Sequence, residues 1–252
     1  MKTKTFVSAV ILLTGASVGA EQMKPRGPKE DARAAALMQE AAKSRYTWSP
    51  DVTVVSFRFT WARDGKSGSG TFRSEIHKRA GSTYSPEGSE ALPEEVREHI
   101  NSMIMHRTPP RHESAQRPAG SFAVLVEGDD RGPLLMTRGD AMLSTQRVKD
   151  GRMVQVNRTM GGKRFTIDVT RFEKTSDGRY YPADFTVTWW DAATGKKLEK
   201  QTYSTEGLYS VDGQMFPKAE KVVSDKSGKT SELAIRYSDV KVESGAHKQA
   251  RK

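Results

Sequence analysis

No cysteine occurs among the 252 residues. A disulfide framework, a thiolate metal site, a cysteine nucleophile and a lipid-modified N-terminal cysteine are therefore all excluded. Histidine is scarce as well, five residues in all, and none stand in the His-x-x-x-His spacing that presents two imidazoles from one helix face to a metal. His99 and His106 are seven residues apart, about two helical turns or ~10 Å, too far for one small ion to bridge. No cofactor and no metal site is expected. Past residue 20, no stretch approaches the roughly 20 consecutive apolar residues of a membrane helix.

The first twenty residues, MKTKTFVSAVILLTGASVGA, do carry an apolar run. It is preceded by Lys2 and Lys4, broken at Thr14 and Gly15, and closed by Val18-Gly19-Ala20. Basic start, short apolar centre and small residues at the end form the pattern of a secretory signal peptide, with cleavage expected after Ala20. The reading is an exported, soluble, periplasmic or extracellular protein. Its surplus of Lys and Arg, 41 against 31 Asp and Glu, is spread along every segment. Scattered positive charge suits solubility and weak affinity for an anionic envelope surface. Nucleic-acid binding would want a basic stripe or a known module, and neither is present.

Residues 21–30, EQMKPRGPKE, read as a flexible lead-in. Residues 29–47 then carry helical spacing through Ala34, Leu37, Met38, Ala41, Ala42 and Arg45, with Glu30 and Asp31 where the helix dipole favours acids. A second helix is expected from Leu92 to Arg107, with Pro93 in its first turn, His106 and Arg107 at its end, and Val96, Ile100, Met103 and Ile104 buried. The connection 107–120, RTPPRHESAQRPAG, has no pattern and reads as a mobile loop. The tail 243–252 is basic and reads as disordered.

Nearly everything else alternates as strand. In SRYTWSPDVTVVSFRFTW (44–61), Pro50 ends the helix. Val55, Phe57, Phe59 and Trp61 then share one face, while Val52, Val54, Ser56, Arg58 and Thr60 share the other. Phe165, Ile167 and Val169 alternate with threonine and aspartate, as do Phe185, Val187 and Trp189, and Leu233, Ile235 and Tyr237. Turn pairs such as Asp64-Gly65, Asp150-Gly151, Gly161-Gly162 and Asp212-Gly213 separate these runs by short links, which predicts an antiparallel meander. One dry face and one wet face imply a single covering layer, and a sheet this wide twists and curls.

The motifs of common chemistry fail on register. GKSGSG (65–70) does not place serine as a nucleophile elbow does. Gly228-Lys229-Thr230 ends like a phosphate-binding loop, but Val223 occupies the upstream glycine position and no helix follows. Gly128-Asp129-Asp130 and Arg138-Gly139-Asp140 are turn compositions. Met103, Ile104 and Met105 cannot all face one core, and methionine adapts to varied apolar partners.

Three stretches resemble the bacterial family catalogued as domain of unknown function 3386: the helix end AAKSRYTW, the helix ending His106-Arg107, and YSVDGQMFPKAEKVV with LAIRYSDVKV. The resemblance covers about residues 31 to 242, and Arg-Tyr-Thr-Trp at 45–48 is its most specific element. After Trp48 and after Arg107 the chain departs from that pattern. More distantly, the order of aromatic strand, Asp-Gly turn, Phe-Pro and a last Tyr-Ser-Asp-Val strand is similar to exported lipoprotein-carrier (LolA/LolB-like) half-barrels. That likeness implies helices lying as a lid over an apolar hollow.

The fold expected is a single α+β domain over 31–242. It comprises a strongly curved antiparallel sheet, an open or half-closed barrel of about nine to eleven strands, with two main helices on its concave side. The sheet carries more apolar surface than the helices offer to cover. Either the interior is filled by its own rings or it encloses a hollow, since both share one strand pattern. The preferred function is non-catalytic binding of a lipid-like or other apolar ligand, lined by Phe57, Phe59, Trp61, Met103, Phe165, Ile167, Phe185, Val187, Trp189, Leu233, Ile235 and Tyr237. The alternatives are an envelope hydrolase or isomerase using carboxylates with His99 or His106, and an envelope interaction module with Trp190 as an exposed contact.

Overall fold

The computed structural model describes residues 31–76, 82–87, 91–109 and 122–245. The leader, the lead-in, most of the 107–120 loop with His112, and all but the first three residues of the tail lie outside the described residues. Helix α1 spans Ala32–Ser44, and its N-cap Asp31 accepts hydrogen bonds from the backbone N–H groups of Arg33 and Ala34, which satisfies two of the otherwise unpaired first-turn donors. The helix stops at Ser44, three residues short of the sequence expectation. Arg45 adopts extended backbone and bridges Tyr180 in parallel. The Tyr46 N–H then donates to the Tyr180 carbonyl at 2.9 Å and that of Trp48 to the Arg107 carbonyl at 2.8 Å. Tertiary hydrogen bonds thus outcompete local helix propensity across Arg-Tyr-Thr-Trp.

Helix α2 spans Glu94–Arg107, with Pro93 at its N-cap and no side-chain cap there. Twelve strands form one antiparallel sheet: β1 Val52–Arg63, β2 Lys66–Glu75, β3 Ser82–Glu87, β4 Phe122–Asp129, β5 Gly132–Arg138, β6 Thr145–Lys149, β7 Arg152–Met160, β8 Lys163–Lys174, β9 Tyr180–Asp191, β10 Lys197–Val211, β11 Gln214–Lys226 and β12 Lys229–Ser244. From β4 to β12 each strand pairs with the next, and β1 pairs with both β12 and β2. The order β3-β2-β1-β12-β11-β10-β9-β8-β7-β6-β5-β4 leaves β3 and β4 as edges, so the sheet of described residues is open. Twelve strands exceed the nine to eleven expected. The surplus comes from short strands such as polar β3, which buries no side chain, and five-residue β6; neither shows a dry face to read.

Several hairpins turn on two residues with both φ positive. Arg63 pairs with Lys66 across Asp64 and Gly65, and Val211 pairs with Gln214 across Asp212 and Gly213. This type I′ geometry matches the twist of antiparallel strands. On β1, Phe57, Phe59 and Trp61 are buried as expected, but so are Val52 and Val54 from the face read as wet. The β1–β12 register shifts between Val52 and Val54 and again between Ser56 and Arg58, and such bulges re-aim side chains. Glycine-rich β2 makes room for the rings of β1. A Cβ at Gly68 would lie 2.9 Å from the Trp61 indole, and one at Gly70 would lie 2.8 Å from the Phe59 ring.

Both helices pack on one face of the sheet. Val96, Ile100, Met103 and Ile104 of α2 join the rings of Trp48, Phe57, Phe59, Trp61, Phe72, Tyr181 and Phe216 in the main core. Ala34 and Ala41 of α1 meet Ala123, Leu135 and Val148 of β4, β5 and β6 in a smaller one. Between the two helices, the strip formed by Val156, Ile167, Val169, Phe172, Phe185 and Tyr203 is only half-buried.

Candidate functional site

That strip is the floor of a cleft of about 320 Å³. Ala41 and Ser44 of α1 form one wall, and Ser102, Met103 and His106 of α2 form the other. The C-terminal ends of both helices meet at its mouth. There Arg45 donates from NH2 to the His106 carbonyl at 2.6 Å and lies 3.4 Å from His106 Nδ1. A cation set against the last carbonyls of a helix is electrostatically favoured.

The apolar floor includes an aromatic stack. His99 lies over Tyr203 with centroids 6.0 Å apart, and Tyr203 stacks on Phe185 at 4.4 Å. Below it, Glu220 of β11 forms a buried polar knot. Its carboxylate stands 2.8 Å from His99 Nε2, accepts from the Tyr237 hydroxyl at 2.8 Å, and lies 3.5 Å from Arg107 NH2. Burial alone would raise the Glu220 pKa. The charge and hydrogen bond of His99, then Arg107 and Tyr237, outweigh it and hold the group down at about 2. Arg107 also donates to the Met103 carbonyl and the Tyr181 hydroxyl and lies over the Tyr181 ring. His99 and Glu220 are thus committed to one another and to the core.

Arginine dominates the charged lining of the cleft. Arg45, Arg107, Arg152 and Arg158 all line it, and among the described residues Glu220 is the only lining carboxylate. Lys221 also borders it, but its ammonium pairs with Glu232 at 2.6 Å. Burial is the chief cause that lowers the His106 pKa to about 4, and Arg45, Arg107 and Arg158 lower it further. Arg45 is shifted downward by burial first and then by Arg107 and Arg158. Arg45, His106 and Arg158 are nevertheless accessible to solvent; they stand in a concavity, where water reaches groups that protein atoms crowd on the other sides.

Of the side chains expected to line a hollow, Met103, Ile167 and Phe185 line this cleft. Phe57, Phe59, Trp61, Leu233, Ile235 and Tyr237 lie instead in the main core, because α2 covers that part of the sheet completely. Phe165 and Trp189 contact each other at 4.7 Å on strands β8 and β9, and Val187 is buried nearby. Trp190, read as an open contact, is half-buried beneath the Arg164 guanidinium. The arginines were missed because the basic residues look evenly spread along the chain. A finer signal exists at Arg158, which shares a strand face with apolar Val156 and so breaks a dry stripe with a charge. Among the described residues, no three metal-ligating side chains cluster, and no helix is long and apolar enough to cross a membrane.

No curated protein matches the sequence. Several solved structures overlay weakly on most of the chain. A DUF1329 family protein from Desulfovibrio piger is 11% identical, covering 84% of this chain and 94% of its own, with a TM-score of 0.27. A putative outer membrane lipoprotein-sorting protein domain from Vibrio parahaemolyticus is 9% identical, covering 86% and 94%, with a TM-score of 0.33. A LolA superfamily protein from Nitrosomonas europaea is 12% identical, covering 84% and 94%, with a TM-score of 0.31. Overlays this loose carry no functional argument. The family model described as protein of unknown function (DUF3386) matches residues 29–242, nearly the whole described domain, and the chain belongs to that family.

Proposed function

We propose that the protein is an exported soluble binder or carrier of an apolar or amphipathic ligand, held without covalent chemistry in the cleft between α1 and α2. One observation carries this reading. A continuous apolar strip of the sheet, from Val156 through Ile167 and Val169 to Phe185 and Tyr203, is half-exposed between two helices that cover the sheet on either side. Fully burying a large apolar side chain is worth ~1.5–3 kcal/mol, so the uncovered strip is a standing cost that an alkyl ligand offsets. A mostly apolar concavity with a few convergent polar groups is also the usual form of a small-molecule site.

Export rests on the leader at residues 1–20, and N-terminal sequencing of protein recovered outside the cytoplasm should begin at Glu21. For the ligand, native mass spectrometry of gently purified protein, with solvent extraction of the same sample, should reveal a bound lipid-like mass. The reading fails if that sample is empty and the protein takes up no fatty acid or fatty alcohol in titration.

A further inference from the structure

We infer that the ligand is a single-chain amphiphile with an anionic head, its alkyl chain on the apolar floor and its carboxylate or phosphate between Arg45 and Arg158 at the mouth. The inference deepens the carrier reading and rests on it. Among the described residues, four guanidiniums and one carboxylate line the cleft. That carboxylate, Glu220, is already engaged by His99, Tyr237 and Arg107, and Arg152 pairs with Asp150 at 3.1 Å. Among the described residues, neither Arg45 nor Arg158 forms an ion pair with a carboxylate. Arg158 feels the charge of Asp140, but the oxygens of Asp140 accept from the N–H groups of Met142 and Ser144. The bond from Arg45 to the His106 carbonyl uses only one of its nitrogens.

Deeper in, the Nε atoms of Arg107 and Arg152 are buried with no hydrogen-bond partner among the described residues. Buried N–H donors are nearly always satisfied, and converging like charges repel more strongly where water is partly displaced. An anion seated between Arg45 and Arg158 offsets that repulsion at the mouth. Volume limits the tail: about 320 Å³ stands at the lower end of the roughly 300–1,000 Å³ of small-molecule sites, which favours one alkyl chain over two or three.

The test is calorimetric titration of the solvent-stripped full chain with dodecanoate, dodecyl phosphate, dodecanol and inorganic phosphate, repeated on Arg45→Ala/Arg158→Ala. Wild type should bind both charged amphiphiles at least about tenfold more tightly than dodecanol, the margin of a charge-assisted contact. The double variant should lose that margin while keeping its affinity for dodecanol. Equal affinity of wild type for dodecanol and dodecanoate, or a margin that survives in the double variant, overturns the head-group site and leaves the carrier reading standing. Inorganic phosphate binding as tightly as dodecyl phosphate overturns the amphiphile in favour of a plain anion site. Binding to diacyl phosphatidylglycerol vesicles without binding to dodecanoate overturns the single chain. If none of the probes binds, the carrier reading itself falls. Should the double variant melt early, Arg158→Ala alone, at an exposed strand position, must show the same loss of margin.

Discussion

Under α2 the sheet meets Val96, Ile100, Met103 and Ile104 with the rings of Phe57, Phe59 and Trp61 from β1 and Phe216 from β11. Under α1 it meets Ala34 and Ala41 with Ala123, Leu135 and Val148. Among the described residues, nineteen buried residues make up the first core and five the second, so hydrophobic burial is concentrated in one half. Alanine lets α1 lie close to its strands but extends no side chain sideways. The strip between the helices is therefore filled from neither side. One half of the molecule resembles a finished core, and the other stops where the cleft begins.

The comparison is tested most severely by removing a ring. Phe59→Ala in the α2 half should cost about 3–5 kcal/mol, whereas Leu135→Ala in the α1 half should fall near the lower end of the 2–5 kcal/mol range for aliphatic truncations. Denaturant unfolding measures both. Strand pairing continues from β7 through β8 to β9, with bulges only around Arg171, so the two halves should unfold together in a single transition. Two transitions, with Phe59→Ala shifting only one, would show that the halves are independent units.

Next in size is the charge buried beneath α2. Glu220→Gln strands Arg107 without its counter-charge, and breaking a buried pair from one side costs on the order of 3 kcal/mol. The same carboxylate makes stability fall in acid. Its folded pKa of about 2 lies below the ordinary 4.5, so the unfolded chain takes up the proton more readily. The contribution is complete above pH 4.5 and is lost as pH falls towards 2. His106, lowered from 6.5 to about 4, adds a loss of the same sign between those values, softened by its exposure to water. Melting temperature measured against pH should therefore decline in wild type, and Glu220→Gln should make the low-pH part of the decline shallower, the remainder coming from Asp177, Asp184 and other carboxylates held below their ordinary values.

Much of the architecture could be read from residues. The period-two alternation of Phe165, Ile167 and Val169 and the paired turn residues such as Asp64-Gly65 encode an antiparallel meander directly, since both signals are local. The helices are equally plain in their Ala and Ile/Met spacing. What escaped reading depends on distance. The bulges near Val52 and Ser56 arise from pairing with β12, nearly two hundred residues away in sequence. The extended Arg45 arises from its bridge to Tyr180. The first accompanies the inward turn of Val52 and Val54, and the second sets Arg45 over the cleft. The site was therefore legible as an excess of apolar surface, and illegible as a particular place with a basic rim.

Overfilling should separate the two helices more gently. Ala34 is fully buried against strands that offer small or branched side chains, so Ala34→Leu has no space to enter and should cost about 1–3 kcal/mol. Ile100→Leu in the α2 core conserves volume and should cost less than about 1.5 kcal/mol. Equal losses would mean that α1 has slack beneath it, and the close approach attributed to its alanines would be wrong.

The smallest effect concerns how each helix begins. Asp31 caps α1 through the N–H groups of Arg33 and Ala34, and its own N–H donates to the Ala123 carbonyl at 3.1 Å. With little apolar area holding α1, this cap carries a larger share of the attachment than any single bond in α2. Asp31→Ala should cost ~1 kcal/mol. Pro93→Ala removes no side-chain hydrogen bond, because α2 begins without one, and its rings and aliphatic contacts should hold the helix unchanged. Hydrogen exchange on the two variants reads the contrast directly. Faster exchange should spread along α1 in the first and stay absent from α2 in the second. Equal fraying in both would show that α2 depends on its terminus as much as α1 does, despite its larger core.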